Sequence, residues 1–261
     1  MGCMNGVYET VRVRFEEGIS FLQIHRPDAK NAIDDRLIEE LTDALTECET
    51  SSKVVVLEGL HDLFCSGADF RQIQARFESP GAYEEQNPEP LYDLWYRLAT
   101  GPYISVAHVR GRANAGGVGF VAACDVVLSD ETASFSLSEL LFGLMPACVL
   151  PFLIRRMGFA KANYMTLTTQ PIVARQAREW GLVDACDENS DSLLRTQLLR
   201  LRRLSKDAIV RYKRYACELD NALTAAKPMA LAANVEVFSD PDNLEKIARF
   251  VKTGRFPWEP Q

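Results

Sequence analysis

No apolar run in the sequence approaches the roughly 18 residues needed to cross a bilayer, so no segment reads as a membrane span. The N-terminus, Met1 to Glu9, has no basic stretch followed by an apolar one and does not read as a secretory signal. Positive charge is in deficit. The formal net charge is −7, which argues against whole-molecule attraction to DNA, RNA or an anionic membrane surface. No CxxC pair occurs, and the seven cysteines, an odd number, stand at long spacings. They read as thiols of a cytoplasmic protein rather than as a disulfide framework or a metal site. Also missing are a linker rich in Pro and Gly between two halves and a repeat of fixed sequence period. What is present, 261 residues with 47% hydrophobic and 25% charged residues, suffices for one large core, or one core with a small appendage.

The apolar pattern switches repeatedly between strand and helix periods. Val11 to His25 alternates around Glu16-Glu17-Gly18 and predicts a hairpin. Leu37, Ile38, Leu41 and Leu45 share one face of a helix expected from about Asp34 to Glu49. Val54 to Leu57, Tyr103 to Val109 and Val126 to Leu128 read as buried strands, and Ser134 to Ser136 as a short one. Helices are expected over Phe70 to Phe77 and Leu91 to Ala99, and from the glycine turn at 111–119 to about Ala123. Glu78 to Pro90, rich in Pro, Gly and acids, reads as a surface loop. Beyond Ala160 the chain is mainly helical, with Ile172-Val173 at most a small strand and a last amphipathic helix over Pro228 to Arg249. Strand, loop and helix in repetition give an α/β fold with buried strands.

Two turns stand out, each after its own strand. Ser66-Gly67-Ala68 permits a tight turn that leaves the Ala68 N–H free to point into a pocket. Ala115-Gly116-Gly117 opens a helix, where backbone N–H groups and the positive helix end favour an anionic oxygen. Either turn alone serves packing as readily as chemistry. Cys65 and Cys148 lie near these turns but have no histidine close in sequence, which disfavours a nucleophilic thiol. His61 and His108 read as structural, and no Ser-His-Asp grouping for a peptidase can be argued from the spacings.

Together the turns resemble the oxyanion-hole pair of the crotonase (enoyl-CoA hydratase/isomerase) superfamily. The resemblance extends over His25-Arg26-Pro27-Asp28-Ala29-Lys30-Asn31-Ala32, Phe64 to Asp69, Cys124-Asp125, Phe135 to Pro146 and Gln176 to Val183. It implies a crotonase-like spiral of repeated β-β-α units over 1–195, with the active site, and a helical C-terminal region over 196–261 for oligomerisation and pocket cover. It makes the N–H groups of Ala68 and Gly116 the oxyanion donors, flanked by Gly67, Gly117 and Asp69. Asp69 also reads as the cap of the helix that begins near Phe70. Tyr83 and Tyr92 are further candidates for lining the acyl pocket. Preorganised donors lower the barrier to a thioester enolate, and one is typically worth about 3–4 kcal/mol.

Hydratases of this family commonly carry two glutamates. One stands three residues beyond the second oxyanion residue, where this chain has Gly119, and the other in the segment where this chain keeps Glu139. Taken alone, Glu139 reads equally as a solvated carboxylate. Its apolar neighbours Leu137, Leu140, Leu141 and Phe142 would raise its pKa and suit it to proton transfer, and the resemblance selects that role.

Ser136 to Gly158 and Leu198 to Tyr215 resemble a subgroup found in polyketide β-branching cassettes. That resemblance implies dehydration of a 3-hydroxy-3-methylglutaryl group carried on an acyl carrier protein as a phosphopantetheine thioester, with no further cofactor and no metal. The basic cluster Arg200, Arg202, Arg203, Lys206, Arg211, Lys213 and Arg214 reads as a docking face for an acidic carrier, as a solvated helix face or as a subunit contact. Relatives of this kind imply a homo-trimer or hexamer. An enoyl thioester isomerase, a hydratase of free acyl-CoA and a non-enzymatic scaffold are the other readings. Glu139 together with both turns argues against the last.

Overall fold

The computed structural model describes residues 8–78 and 87–260. β1 (Val11–Glu16) and β2 (Ile19–Ile24) form the expected hairpin, closed by Glu17 and Gly18, both at positive φ. This two-residue turn matches the twist of the strands it joins. α1 (Asp35–Ser51) starts at Asp34, whose carboxylate accepts from the Leu37 N–H at 2.9 Å, and buries Leu37, Leu41, Ala44 and Leu45.

From there the chain lays one strand in each of two sheets per turn. β3 (Val54–Glu58) is followed by β4 (Leu63–Cys65), α2 (Phe70–Glu78) and α3 (Glu89–Thr100). β5 (Ile104–Val109) is followed by β6 (Arg112–Asn114) and α4 (Gly116–Ala123). β7 (Val126–Ser129) is followed by β8 (Ser134–Ser136), α5 (Leu150–Met157) and α6 (Phe159–Thr168). The six-stranded sheet has the order β1-β2-β3-β5-β7-β10 and the four-stranded sheet the order β4-β6-β8-β9. All pairs are parallel except β1–β2 and β8–β9. Three successive strand–strand–helix turns make this the β-β-α spiral, and the α/β expectation holds.

The short strands carry the differences from the sequence reading. β4 was expected as loop, β6 as part of the glycine turn and β10 (Ala185–Cys186) within a mainly helical stretch, because runs of two or three residues carry no period. The stretch 111–119, expected as one glycine turn, holds β6 and the start of α4. After β9 (Ile172–Val173) come α7 (Ala174–Trp180), α8 (Ser190–Leu201), α9 (Lys206–Leu219), α10 (Ala222–Ser239) and α11 (Pro241–Thr253). The single final helix expected over 228–249 is therefore two. Pro228 lies inside α10, and the break falls at Asp240, which caps α11 by accepting from the Asp242 N–H. The boundary expected after residue 195 falls within α8, which packs Leu194, Leu198 and Leu201 on the six-stranded sheet.

The main core lies between the sheets and α1, α3, α4 and α5. A second apolar layer lies under α8. A third joins α2 and α11 to the 3-10 turn Glu139–Phe142, where the rings of Phe70, Phe142, Phe250 and Phe256 meet at 5.1–6.4 Å. The C-terminal helix thus packs on the turn that carries Glu139. Among the described residues no helix is long and apolar enough to cross a membrane.

Candidate active site

The first turn is held by an Arg-Asn frame. Lys30 and Asn31 take left-handed backbone after Pro27–Ala29. The fully buried Asn31 amide accepts from the Arg26 N–H at 2.7 Å and donates to the carbonyls of Ile24 and Phe64, both at 3.0 Å. The Arg26 guanidinium pairs with Asp34 at 2.6 Å and Asp69 at 3.3 Å. This is what the Arg-Pro-x-x-x-Asn-Ala segment does: it ties the end of β2 to the end of β4.

Ile33 then pairs with Ala68 in a parallel bridge. The Ile33 N–H donates to Gly67 O at 2.8 Å and the Asp69 N–H to Ile33 O at 2.9 Å. In this pattern the Ala68 N–H points away from Ile33, and Ala68 itself is exposed. Asp69 accepts from the N–H of Arg71 at 3.1 Å and of Gln72 at 3.4 Å, so it caps α2.

The second turn is strained and closely packed on the first. Ala115 sits at φ 50°, ψ −122°, a backbone state that costs energy and is typical of functional sites. Gly67 is required twice: its φ is 93°, and a Cβ there would stand 2.8 Å from Ala115 Cβ and 3.6 Å from Gly116 N. Gly116 is the first residue of α4, so its N–H has no partner within the helix. A Cβ on Gly117 would lie 2.6 Å from Cys65 O. Gly117 therefore allows α4 to pack on β4.

One residue that sequence reasoning missed links the pieces. Asn114 Nδ2 donates to Ser66 O at 3.2 Å and Ser138 Oγ at 2.9 Å, while Oδ1 accepts from Ser136 Oγ at 2.7 Å. The Ala115 N–H donates to Ser136 O at 2.9 Å. One amide thus joins the first turn, the second turn and the segment leading to Glu139. Its place directly before Ala-Gly-Gly was the available signal.

Glu139 is buried, with 9% exposure, and among the described residues its Oε2 has no hydrogen-bond partner. Burial pushes its pKa up to about 7, against partial relief from the backbone N–H groups of Glu139 and Ser138. Near pH 7 both protonation states are populated, which suits a group that takes and returns a proton. At position 119 the structure puts no carboxyl and no room for one. A Cβ on Gly119 would lie 2.5 Å from Trp95 Cζ2. Among the described residues Trp95 Nε1 is also buried without a partner.

The remaining candidates separate. The Tyr92 side chain lies in the core against Phe152, 5.1 Å between ring centroids, and its hydroxyl donates to Leu223 O at 2.7 Å. It is a packing residue, not the pocket wall expected. Tyr83 lies outside the described residues, as does most of the loop expected at 78–90. Burial pushes the thiols of Cys65 and Cys148 up to about 12, so neither is a thiolate nucleophile at neutral pH.

A grouping that the spacings did not show exists on another layer. His108 Nδ1 stands 2.9 Å from Glu58 Oε1, and its Nε2 stands 2.9 Å from Ser190 Oγ. His108 is fully buried and Ser190 is 3% exposed. They lie with Val54, Val56 and Val106 on the sheet face covered by α8. The enclosed hydroxyl ties α8 to the sheet. A cleft of about 590 Å³ on that face, lined by Arg14, Phe21, Glu58, Asp191 and Arg202 among others, includes neither glycine turn.

Residues 14–261 match the family described as enoyl-CoA hydratase/isomerase. The chain belongs to that family. Within the enoyl-CoA hydratase/isomerase family it is 56% identical to the bacillaene synthase dehydratase PksH of Bacillus subtilis, over 97% of this chain and 98% of that one. The crystal structure of a B. subtilis polyketide biosynthesis enoyl-CoA hydratase superposes with a TM-score of 0.94 at 56% identity, covering 96% of this chain and 100% of that one. A 2,3-dehydroadipyl-CoA hydratase of Escherichia coli is 33% identical over 64% of this chain and 65% of its own. An enoyl-CoA hydratase/isomerase of Xanthobacter autotrophicus superposes with a TM-score of 0.82 at 26% identity, covering 95% of each chain. These relatives make the chain an enzyme of the hydro-lyase type, as the residues led us to expect.

Proposed function

We propose that this enzyme dehydrates a 3-hydroxy-3-methylglutaryl thioester on an acyl carrier protein to the 3-methylglutaconyl thioester. The observation that carries the reading is Glu139, a buried carboxyl with one oxygen unpaired among the described residues, on a segment hydrogen-bonded to the second turn through Ala115 and Asn114. The dehydratase activity in the name of the 56% identical PksH supports the direction of the reaction.

In the reaction, the N–H groups of Ala68 and Gly116 hold the thioester oxygen. Glu139 takes the proton from carbon two, and negative charge moves onto the held oxygen. The bond from carbon three to its hydroxyl then breaks. The hydroxyl leaves with the proton that Glu139 returns, water departs, and the double bond forms between carbons two and three. One carboxyl suffices because it acts on one face as base and then as acid.

The carrier reading rests on the exposed Arg200, Arg203, Arg211 and Arg214, on a chain of net charge −7. The sequence cluster is smaller than it looked. Lys213 is buried on Asp125 at 2.6 Å, Lys206 donates to Ser52 O at 2.6 Å, and Arg202 pairs with Glu17 at 3.0 Å. Exposed Tyr212, Tyr215, Leu219 and Met229 on α9 and α10 support self-association there, as a trimer or pair of trimers.

Intact-mass analysis of a hydroxymethylglutaryl carrier protein incubated with the enzyme tests the reading. The expected result is a loss of about 18 Da, one water. Loss of carbon dioxide, or no change, overturns it. An isomerase needs the same single carboxyl; an unchanged mass together with a moved double bond in a 3-enoyl thioester would establish that activity instead.

A further inference from the structure

We infer that the indole of Trp95 takes the place of the absent second glutamate and donates a hydrogen bond from Nε1 to the oxygen on carbon three of the substrate. The inference rests on the dehydration reading and names the group that meets the departing hydroxyl.

Three observations lead there. First, the volume that a side chain at 119 would fill holds the indole: a Cβ on Gly119 would stand 2.5 Å from Trp95 Cζ2, 2.7 Å from Cη2 and 2.8 Å from Cε2, the carbon bonded to Nε1. Second, that same ring edge borders the oxyanion turn, since a Cβ on Gly116 would stand 3.6 Å from Cζ2. Third, Trp95 is 1% exposed, and among the described residues Nε1 has no acceptor. A buried N–H left without a partner is costly, and native folds seldom keep one without a use. Edge-to-face contacts with Phe120 and Phe152, both at 5.8 Å between centroids, hold the ring in place.

An indole N–H does not release its proton in this pH range, so Trp95 stabilises charge on the leaving oxygen while Glu139 moves the proton. A donor at carbon three and a base at carbon two divide the task that two glutamates share elsewhere. The ring also fills the space beside carbon three in which a second carboxylate would hold a water.

The test combines spectra and kinetics. The enzyme is labelled uniformly with 15N, which shows the backbone amides together with three indole signals from the three tryptophans, and Trp95 is assigned by the indole signal lost in Trp95→Phe. The probe is acetoacetyl-pantetheine, whose enolate fills the oxyanion site and places an oxygen on carbon three. The Trp95 Nε1–H signal should shift on titration together with the Ala68 and Gly116 amides. Trp95→Phe, which keeps the ring wall, should lower kcat for the hydroxymethylglutaryl carrier by about 10- to 100-fold with KM nearly unchanged. If the two amides move and the indole does not, or if Trp95→Phe turns over like the parent, the inference is wrong while the oxyanion reading stands. If neither amides nor indole respond and the parent enzyme leaves the carrier substrate intact, the dehydration reading fails and the inference falls with it.

Discussion

Glu58 and Glu139 are both largely enclosed carboxyls, and they are kept in opposite ways. Glu58 meets the His108 ring at 2.9 Å, with Arg110 at 3.5 Å, and the ring passes on to Ser190. Both ring nitrogens of His108 and the Ser190 hydroxyl are paired in that relay. Glu139 keeps one oxygen without any partner among the described residues, beside a pair of backbone turns. Buried polar networks that are complete specify packing, whereas an incomplete one costs stability and is retained where a ligand completes it. The paired ring and hydroxyl of the relay suit a structural role, and the open oxygen of Glu139 fits the acid–base role proposed for it.

The largest effect that separates them is on turnover. Glu139→Gln should lower kcat by about 10²- to 10⁴-fold, the usual worth of a positioned acid–base group, with the circular dichroism spectrum unchanged. Parental turnover in that variant would remove Glu139 from the mechanism. Next comes the pH dependence of stability. The folded-state pKa of Glu139 is raised from 4.5 to about 7, so the folded chain holds a proton that the unfolded chain has lost. The stability this gives is fully present below pH 4.5 and is lost as pH rises through 7. Relative to Glu139→Gln, the unfolding free energy of the parent should therefore fall by about 3 kcal/mol between pH 4.5 and 8. Parallel urea midpoints for the two proteins across that range would show that the carboxyl is not held in its neutral form. The smallest effect belongs to the relay. His108→Leu should cost about 2 kcal/mol, because Glu58 and Ser190 lose their shared partner, and turnover of the folded enzyme should stay within about twofold. A larger loss of turnover would tie the relay to the active site after all.

How far the sequence could be read follows from the range of each interaction. Long apolar periods gave β2, β3, β5 and α1, since burial of one face is a local pattern. The glycine turns were legible because positive φ and close approach restrict the residue type. β4, β6 and β10 were not, because two or three residues become strands only through their neighbours in the sheet. Glu139 was legible as a candidate acid only through the family resemblance, and its burial through its apolar neighbours. The Asn114 amide, the Tyr92 hydroxyl and the Ser190–His108–Glu58 relay join segments 22 to 131 residues apart, and nothing local announces them. Lys213 shows the same limit in the other direction. It reads as surface charge by composition and is buried on Asp125.

The contact between Gly119 and Trp95 makes two positions behave as one variable. Ring and carboxylate compete for a single volume, so a bulky residue at 95 and a side chain at 119 are alternatives. A carboxyl introduced at 119 therefore requires a smaller residue at 95 in the same variant. The Asn114 frame that holds the two turns stays outside the exchange.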